Sequence, residues 1–146
     1  DLHSCPTRRS SGLRGIESDL LVHTHELGTG VIAFCPLSSG VLTDRYLNGL
    51  PTDSRRGKQG EDGRRWYEQQ EAEGVWDEVR ALNKIAHARG QTMAQMAITW
   101  ILRDERMTSV LIGASKVTQI AENVKAVQAS PLTAEELQQI EQILTD

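Results

Sequence analysis

The sequence predicts an α/β chain with parallel strands that forms part of a larger fold. Three observations carry this reading. Two short apolar runs, Val31–Cys35 and Ser109–Ile112, have the length and the Gly/Pro flanks of buried strands. Helical periodicities lie between and after them, and strands separated by helices pair in parallel. Two parallel strands cannot alone make a closed or well-covered sheet, and no internal repeat supplies more. The start at Asp1 rather than Met points the same way.

The first fifteen residues, DLHSCPTRRSSGLRG, show no periodicity and read as a tail, or as residues foreign to the domain. The domain itself is expected over residues 16–146. Ile16, Leu20, Leu21 and Leu27 recur at helical spacing, and Gly28 supplies a stop, so a helix is expected from Ile16 to Leu27. The first strand follows, with Cys35 inside its apolar run and so expected in the core.

Residues 36–75 read mostly as loop, with glycines scattered throughout and charges clustered in the second half. A connection of that length in a compact domain is usually functional or mobile. Val79, Leu82, Ile85 and Ala86 then mark one face of a helix from Trp76 to Arg89, stopped at Gly90. Thr92 and Gln95 have the spacing of a capping box. The helix they open carries Met93, Met96, Ala97, Trp100 and Ile101, an apolar arc wide enough to pack on two sides.

After the second strand, Gly113-Ala114-Ser115 opens a helix whose apolar positions are Val117, Ile120, Ala121, Val124 and Val127. Thr133 and Glu136 form a second capping box, and Leu132 with Leu137 has the spacing of a hydrophobic staple. The last helix presents Leu137, Ile140 and Leu144 to the core.

Composition narrows the function classes. The 146 residues carry 16 Lys+Arg against 20 Asp+Glu, a net charge of −4, whereas a general nucleic-acid binder shows a basic face. The longest wholly apolar run, Val31 to Leu37, falls far short of the roughly 20 residues that span a bilayer. Two cysteines make no disulfide framework, and the N-terminus lacks the apolar segment of a signal peptide, so a reducing, cytoplasmic setting is expected. The pair Trp76–Arg89 and Thr92–Leu102 has the outline of a helix-turn-helix, but its second helix is too apolar to lie in a DNA groove.

Two segments are candidates for chemistry. A small, Gly-containing loop at a helix start, as at Gly113-Ala114-Ser115, offers backbone N–H groups and the positive end of the helix dipole to a phosphate. Ser115 either donates to such a ligand or simply caps the helix, and Lys116 adds charge. Pro36-Leu37-Ser38-Ser39-Gly40 follows the first strand directly, and in parallel α/β proteins ligands bind beyond the carboxyl ends of strands; the plain alternative is a turn. Arg55, Arg56, Arg64 and Arg65 could meet an anion but read more simply as a solvated charged loop. His23 and His25, two apart on a helix, point to different faces and do not suit a zinc site. No Ser/His/Asp set, paired acid and base, or Cys-x-x-Cys stands out.

Phe34-Cys35-Pro36-Leu37-Ser38-Ser39-Gly40-Val41-Leu42-Thr43-Asp44-Arg45-Tyr46, with Val110-Leu111-Ile112-Gly113-Ala114-Ser115 and then Gln119 and Glu122-Asn123, resembles the aldo-keto reductases from about Gly28 to Asp146. Within that family it looks closest to the branch of bacterial glyceraldehyde-phosphate/methylglyoxal reductases and potassium-channel β subunits. The resemblance implies the C-terminal part of a (β/α)8 TIM barrel, an incomplete barrel with Val31–Cys35 as strand seven and Ser109–Ile112 as strand eight. It implies NADPH as cofactor and a small-molecule carbonyl substrate; from the charge balance and the short apolar runs no nucleic-acid or membrane partner is expected, and no motif specifies an oligomeric state.

The same resemblance assigns the cofactor-binding residues. Pro36, Leu37, Ser38 and Ser39 fall where the family holds the pyrophosphate, largely through backbone groups. Arg45 stands where a lysine near that phosphate is usual, and Arg55 matches an arginine near the adenosine end. Gly113, Ser115, Gln119, Glu122 and Asn123 match positions that grip the adenine and its ribose phosphate. Two departures from the family pattern, Cys35 for a serine and Asp44 for a glycine, are each expected to weaken binding modestly.

The family's catalytic Asp, Tyr, Lys and His come from the first half of the barrel, and nothing in this chain matches them; Tyr46 and Tyr67 are not that tyrosine. The implied function is NADPH-dependent reduction of aldehydes or ketones to alcohols by the complete protein, with this chain inactive alone. Exposed strand edges and helix faces are expected to make the isolated chain unstable. The channel β subunits carry a second reading, an NADPH-binding regulatory or partner-binding module.

Overall fold

The computed structural model describes residues 15–145, so the expected tail lies outside the described residues except for Gly15. The element order is α1 (Gly15–Ser18), α2 (Leu20–Glu26), β1 (Val31–Phe34), α3 (Glu61–Ala72), α4 (Val75–Ala88), α5 (Met93–Ile101), β2 (Met107–Leu111), α6 (Val117–Val124) and α7 (Ala134–Thr145). Short 3-10 turns at Ser38–Gly40, Asp44–Tyr46, Gly57–Gln59 and Lys125–Gln128 join them.

β1 and β2 pair in parallel, with Ile32 opposite Ser109, Ala33 opposite Val110 and Phe34 opposite Leu111. The register slips between Val31 and Ile32. There the Thr108 hydroxyl oxygen accepts from the Val31 N–H at 3.1 Å. Gly30 makes room for it, since a Cβ on Gly30 would sit 2.7 Å from that oxygen.

The two strands, expected to be buried, instead leave Ile32, Phe34 and Leu111 exposed, because no further layer covers the two-stranded sheet. Three other expectations change. The helix expected over Ile16–Leu27 is broken at Asp19, whose φ of −121° and ψ of −79° are not helical. Of its four apolar residues only Leu21 is buried, because two strands offer too narrow a surface to cover the rest. Cys35 is exposed rather than in the core, because the backbone turns to a φ of 54° there and carries the side chain out of the strand.

The third change lies in residues 36–75, which hold a three-turn helix. α3, EDGRRWYEQQEA, has no apolar stripe and a glycine in its first turn, so periodicity does not reveal it. Tertiary contact holds it instead. Trp66 and Tyr67 enter an aromatic cluster with Tyr46 and Trp76, with Tyr67 stacked on Trp76 at 5.0 Å between centroids and Trp66 edge-on to Tyr46 at 5.4 Å. The Trp76 indole N–H donates to the Tyr67 carbonyl at 3.3 Å, and the Tyr67 hydroxyl donates to the Tyr46 carbonyl at 3.2 Å.

The approach to α3 is equally tight. Fully buried Ser54 donates to the Pro51 carbonyl at 2.6 Å and accepts from the Gly57 N–H at 2.9 Å. A Cβ at Gly57 would lie 2.0 Å from the Pro51 carbonyl oxygen, and one at Gly63 1.9 Å from that of Arg56.

α4 is the centre of the core. It packs on α3, α5 and α7, and Val75, Trp76, Val79, Leu82 and Ala86 are buried. α5 buries Met93, Met96, Ala97 and Ile98, so it is an interior helix and not one poised to enter a groove. Both capping boxes form. Thr92 Oγ1 accepts from the Gln95 N–H at 3.2 Å while Gln95 Oε1 accepts from the Thr92 N–H at 3.0 Å. Thr133 Oγ1 accepts from the Glu136 N–H at 3.2 Å while Glu136 Oε2 accepts from the Thr133 N–H at 2.7 Å.

Arg89 pins α4 to α7. Its guanidinium donates to Glu136, to the Ser130 carbonyl at 2.5 Å and to Gln91 Oε1 at 2.8 Å. The Thr133 N–H, and then Arg89, hold the Glu136 carboxyl below its ordinary value against the opposing effect of burial. α6 behaves differently. Val117, Ile120 and Val124, with Val127 just beyond, are exposed rather than in the core.

Candidate functional site

The parallel register decides where the two candidate segments meet. Phe34 and Leu111 are partners at the ends of their strands, so Cys35-Pro36-Leu37 and Ile112-Gly113-Ala114 leave from the same rim, on strands about 4.8 Å apart. The chain therefore brings Pro36–Ser39 and Gly113–Ser115 together beyond the carboxyl ends of one sheet.

The first segment is backbone under strain. Cys35, Ser38 and Ser39 have φ of 54°, 48° and 56°, a left-handed region that costs a side-chain-bearing residue of order 1–3 kcal/mol. The turn is held from below. The Ser38 N–H donates to the Cys35 carbonyl at 3.0 Å, the Gly40 N–H to the Leu37 carbonyl at 2.9 Å, and Pro36 is buried. Gly40, with a φ of 97°, lets the chain turn over the Tyr46 ring. Val41 and Leu42 drop directly into the core, which ties the loop to the helices beneath. The Ser39 side chain faces solvent and Ser38 is half-buried.

The second segment is closed by its own side chain. Lys116, not Ser115, takes the cap position of α6. Gln119 Oε1 accepts from the Ser115 N–H at 2.8 Å, the Lys116 N–H at 3.1 Å and the Ser115 hydroxyl at 3.2 Å. Ser115 thus donates and does not cap, and three donors converge on a single oxygen. Gly113 is exposed, with open space where a Cβ would stand. Lys116 is exposed beside it.

The remaining candidates sit in different surroundings. Arg45 is exposed and pairs with Asp53 at 3.2 Å, so its charge is partly spent before any ligand arrives. Arg55 is exposed. Arg56 lies over the Trp66 ring at 4.6 Å and belongs to the aromatic cluster. Arg65 faces Glu61 at 3.7 Å, and Arg64 is exposed. Glu122 accepts from Lys125 at 2.6 Å, and Asn123 is buried. Tyr46 and Tyr67 are structural members of the core. Exposed His23 faces Asp19 and Glu26, and among the described residues no cluster of three or more His, Cys, Asp or Glu has metal-binding geometry. No described helix is long and apolar enough to cross a membrane.

One residue escapes sequence reasoning. Gln95 was legible as a cap, yet its amide nitrogen also reaches Glu122, donating to the backbone carbonyl at 2.9 Å and to the carboxylate at 3.3 Å. Only the packing of α5 on α6 creates that contact.

Comparison with known proteins identifies the family. The model of the Aldo/keto reductase family matches residues 11–145. The chain is 46% identical over 130 residues to the L-glyceraldehyde 3-phosphate reductase of Escherichia coli O157:H7, covering 89% of this chain and 38% of the relative. It is 38% identical over 129 residues to a putative voltage-gated potassium channel subunit beta of Schizosaccharomyces pombe, covering 88% of this chain and 38% of that protein. Among solved structures, the glycerol dehydrogenase AKR11B4 of Gluconobacter oxydans superimposes with a TM-score of 0.67 at 26% identity, over 89% of this chain and 38% of that one. The chain spans little more than a third of the length of these relatives. The open two-stranded sheet and its helices are consistent with part of a barrel.

Proposed function

This chain belongs to the aldo/keto reductase family, and from that premise we propose that it supplies the NADPH-binding part of an enzyme that reduces a small aldehyde or ketone to an alcohol. The single observation that carries the reading is the shared rim: Pro36–Ser39 and Gly113–Ser115 leave the paired strand ends at Phe34 and Leu111. The chain's own residues suit the cofactor. Ser115 N–H, Ser115 Oγ–H and Lys116 N–H already converge on one oxygen, the number and kind of donors that a phosphate oxygen accepts. Rotation of the Gln119 amide hands those donors to an anion. Lys116 and Arg55 bring positive charge, and the strained Cys35–Gly40 turn keeps its backbone close to the rim.

In this reading Pro36, Leu37, Ser38 and Ser39 face the pyrophosphate, with Arg45 beside it. Gly113, Ser115, Gln119, Glu122 and Asn123 serve the adenosine end. NADPH supplies the hydride; this chain's part is to bind and orient the cofactor. No residue here takes the role of the family's proton-donating tyrosine, since Tyr46 and Tyr67 are locked in the core. The isolated chain therefore turns over no carbonyl compound.

Titration of the chain with NADPH, followed by tryptophan fluorescence, tests the binding half. Saturable binding that weakens about tenfold in Ser115→Ala is expected, and no binding at millimolar NADPH refutes the reading. NADPH consumption on adding glyceraldehyde to the purified chain would refute the proposed inactivity. The complete protein distinguishes the regulatory reading: a version that binds NADPH but reduces no aldehyde would favour a partner-binding module.

A further inference from the structure

α6 carries Gln119, Glu122 and Asn123, yet it is poorly anchored by apolar packing. Val117 is 82% exposed, Ile120 47% and Val124 50%. Only Asn123 within the helix, and Ala126 in the turn after it, are buried. What α6 rests on is the polar edge of α5. Gln91 precedes that helix and Gln95 and Thr99 lie within it, at four-residue intervals, and all three are buried.

That edge is fully hydrogen-bonded. Gln91 Nε2 donates to Thr99 Oγ1 at 3.0 Å. The Thr99 hydroxyl lies 3.0 Å from the Gln95 carbonyl and 3.3 Å from that of Ala126. Gln95 uses both ends of its amide. The oxygen closes the capping box of its own helix on the Thr92 N–H, and the nitrogen crosses to the Glu122 carbonyl and carboxylate. Lys125 holds the other carboxylate oxygen. A buried polar group left without its partner costs far more than the bond is worth when made, so this seam tolerates one rotation and one axial position of α6.

We propose that Gln95 is a positioning residue for the nucleotide: its amide nitrogen sets the rotation of α6 and so the placement of Glu122 and Asn123 toward the adenosine end. This role rests on the cofactor reading above, and Gln95 itself touches no ligand. The two ends of its amide separate positioning from stability. Gln95→Glu keeps the acceptor that caps α5 but removes the donor and sets a carboxylate against Glu122. Thr92→Ala removes half of the cap but leaves the nitrogen on Glu122.

The test compares NADPH affinity, by isothermal titration, and thermal unfolding, by far-ultraviolet circular dichroism, for the unsubstituted chain and both variants. Gln95→Glu is expected to weaken NADPH binding tenfold or more at unchanged helix content, while Thr92→Ala unfolds at lower temperature and binds within twofold of the parent. Should Gln95→Glu lose helix content, Gln95→Met, which fills the same space with neither hydrogen bond, takes its place with the same expected tenfold loss. Binding within twofold of the parent overturns the positioning role, as does an equal loss of affinity in Thr92→Ala, which would mark Gln95 as a cap and nothing more. A parent chain that binds no NADPH overturns the cofactor reading itself, and Gln95's role with it.

Discussion

The two sides of the molecule are held together by different means. On one, α3, α4, α5 and α7 close around a continuous apolar core in which Trp76 and Tyr46 are 1% exposed. On the other, the two-stranded sheet, α2, α6 and the residues just after those helices turn Leu20, Leu27, Ile32, Phe34, Leu111 and Val127 to solvent. Apolar side chains are present in both places. The helical side is self-sufficient because its stripes face one another, whereas strands need neighbours along both edges and on both faces. The proposed cofactor rim lies on the under-packed side, where α6 depends on hydrogen bonds from α5. The proposed site thus lies on the part of the chain with the least apolar packing of its own.

The largest effect expected from this contrast is at Trp76. Trp76→Ala removes the ring that touches Tyr46, Trp66 and Tyr67 and should cost about 3–5 kcal/mol. Denaturant unfolding measures it, and a loss below about 1 kcal/mol would show that the aromatic cluster does not hold the helical side together. Next comes Gly63→Ala, which drives a methyl group into the Arg56 carbonyl and should cost about 2–3 kcal/mol, read as an earlier urea midpoint. Gly113→Ala, in open space, is the matched control and should leave that midpoint in place.

Acid should act through Asp104, which sits before β2. Its hydrogen bonds from Arg106, chiefly from the side chain, hold its pKa at about 2 against the opposing effect of burial. The folded pKa lies below the unfolded value of 3.8, so the stabilisation is complete above pH 4 and fades as the pH falls toward 2. It amounts to at most about 2 kcal/mol. Asp104→Asn should flatten the stability profile in that window; a profile that keeps its slope there would exclude Asp104 as the source.

The smallest effects should fall on the exposed side. Phe34→Ser and Val127→Thr should each change stability by no more than about 0.5 kcal/mol while lowering self-association in sedimentation. A cost near that of Trp76→Ala would erase the contrast between the two sides.

Local signals were read from the sequence because their physics is local. The Thr92–Gln95 and Thr133–Glu136 boxes need only three-residue spacing, and both form. The strands, the stripes of α4 and α5, and the two rim segments follow from periodicity and flanking glycines or prolines. α3 was illegible because its anchors, Trp66 and Tyr67, face partners outside the helix, Tyr46 and Trp76, and make no stripe of their own. Cys35 and the two strands misled for the opposite reason: an apolar stretch reports what is suited to burial, not whether anything is there to bury it.

By itself, then, the sequence determined both strands and most of the helices, where two of the helices are capped, and which two loops resemble the family's motifs. Parallel pairing, expected from strands separated by helices, already implied a common rim; tertiary structure alone decided the register that seats the two loops side by side there, with Phe34 opposite Leu111, because register is fixed by contacts between residues far apart in sequence. It alone decided that Gln119 occupies the donors of Ser115 and that Gln95 reaches across to Glu122. Side-chain amides are short and directional, so their partners are set by where helices come to rest and not by spacing along the chain.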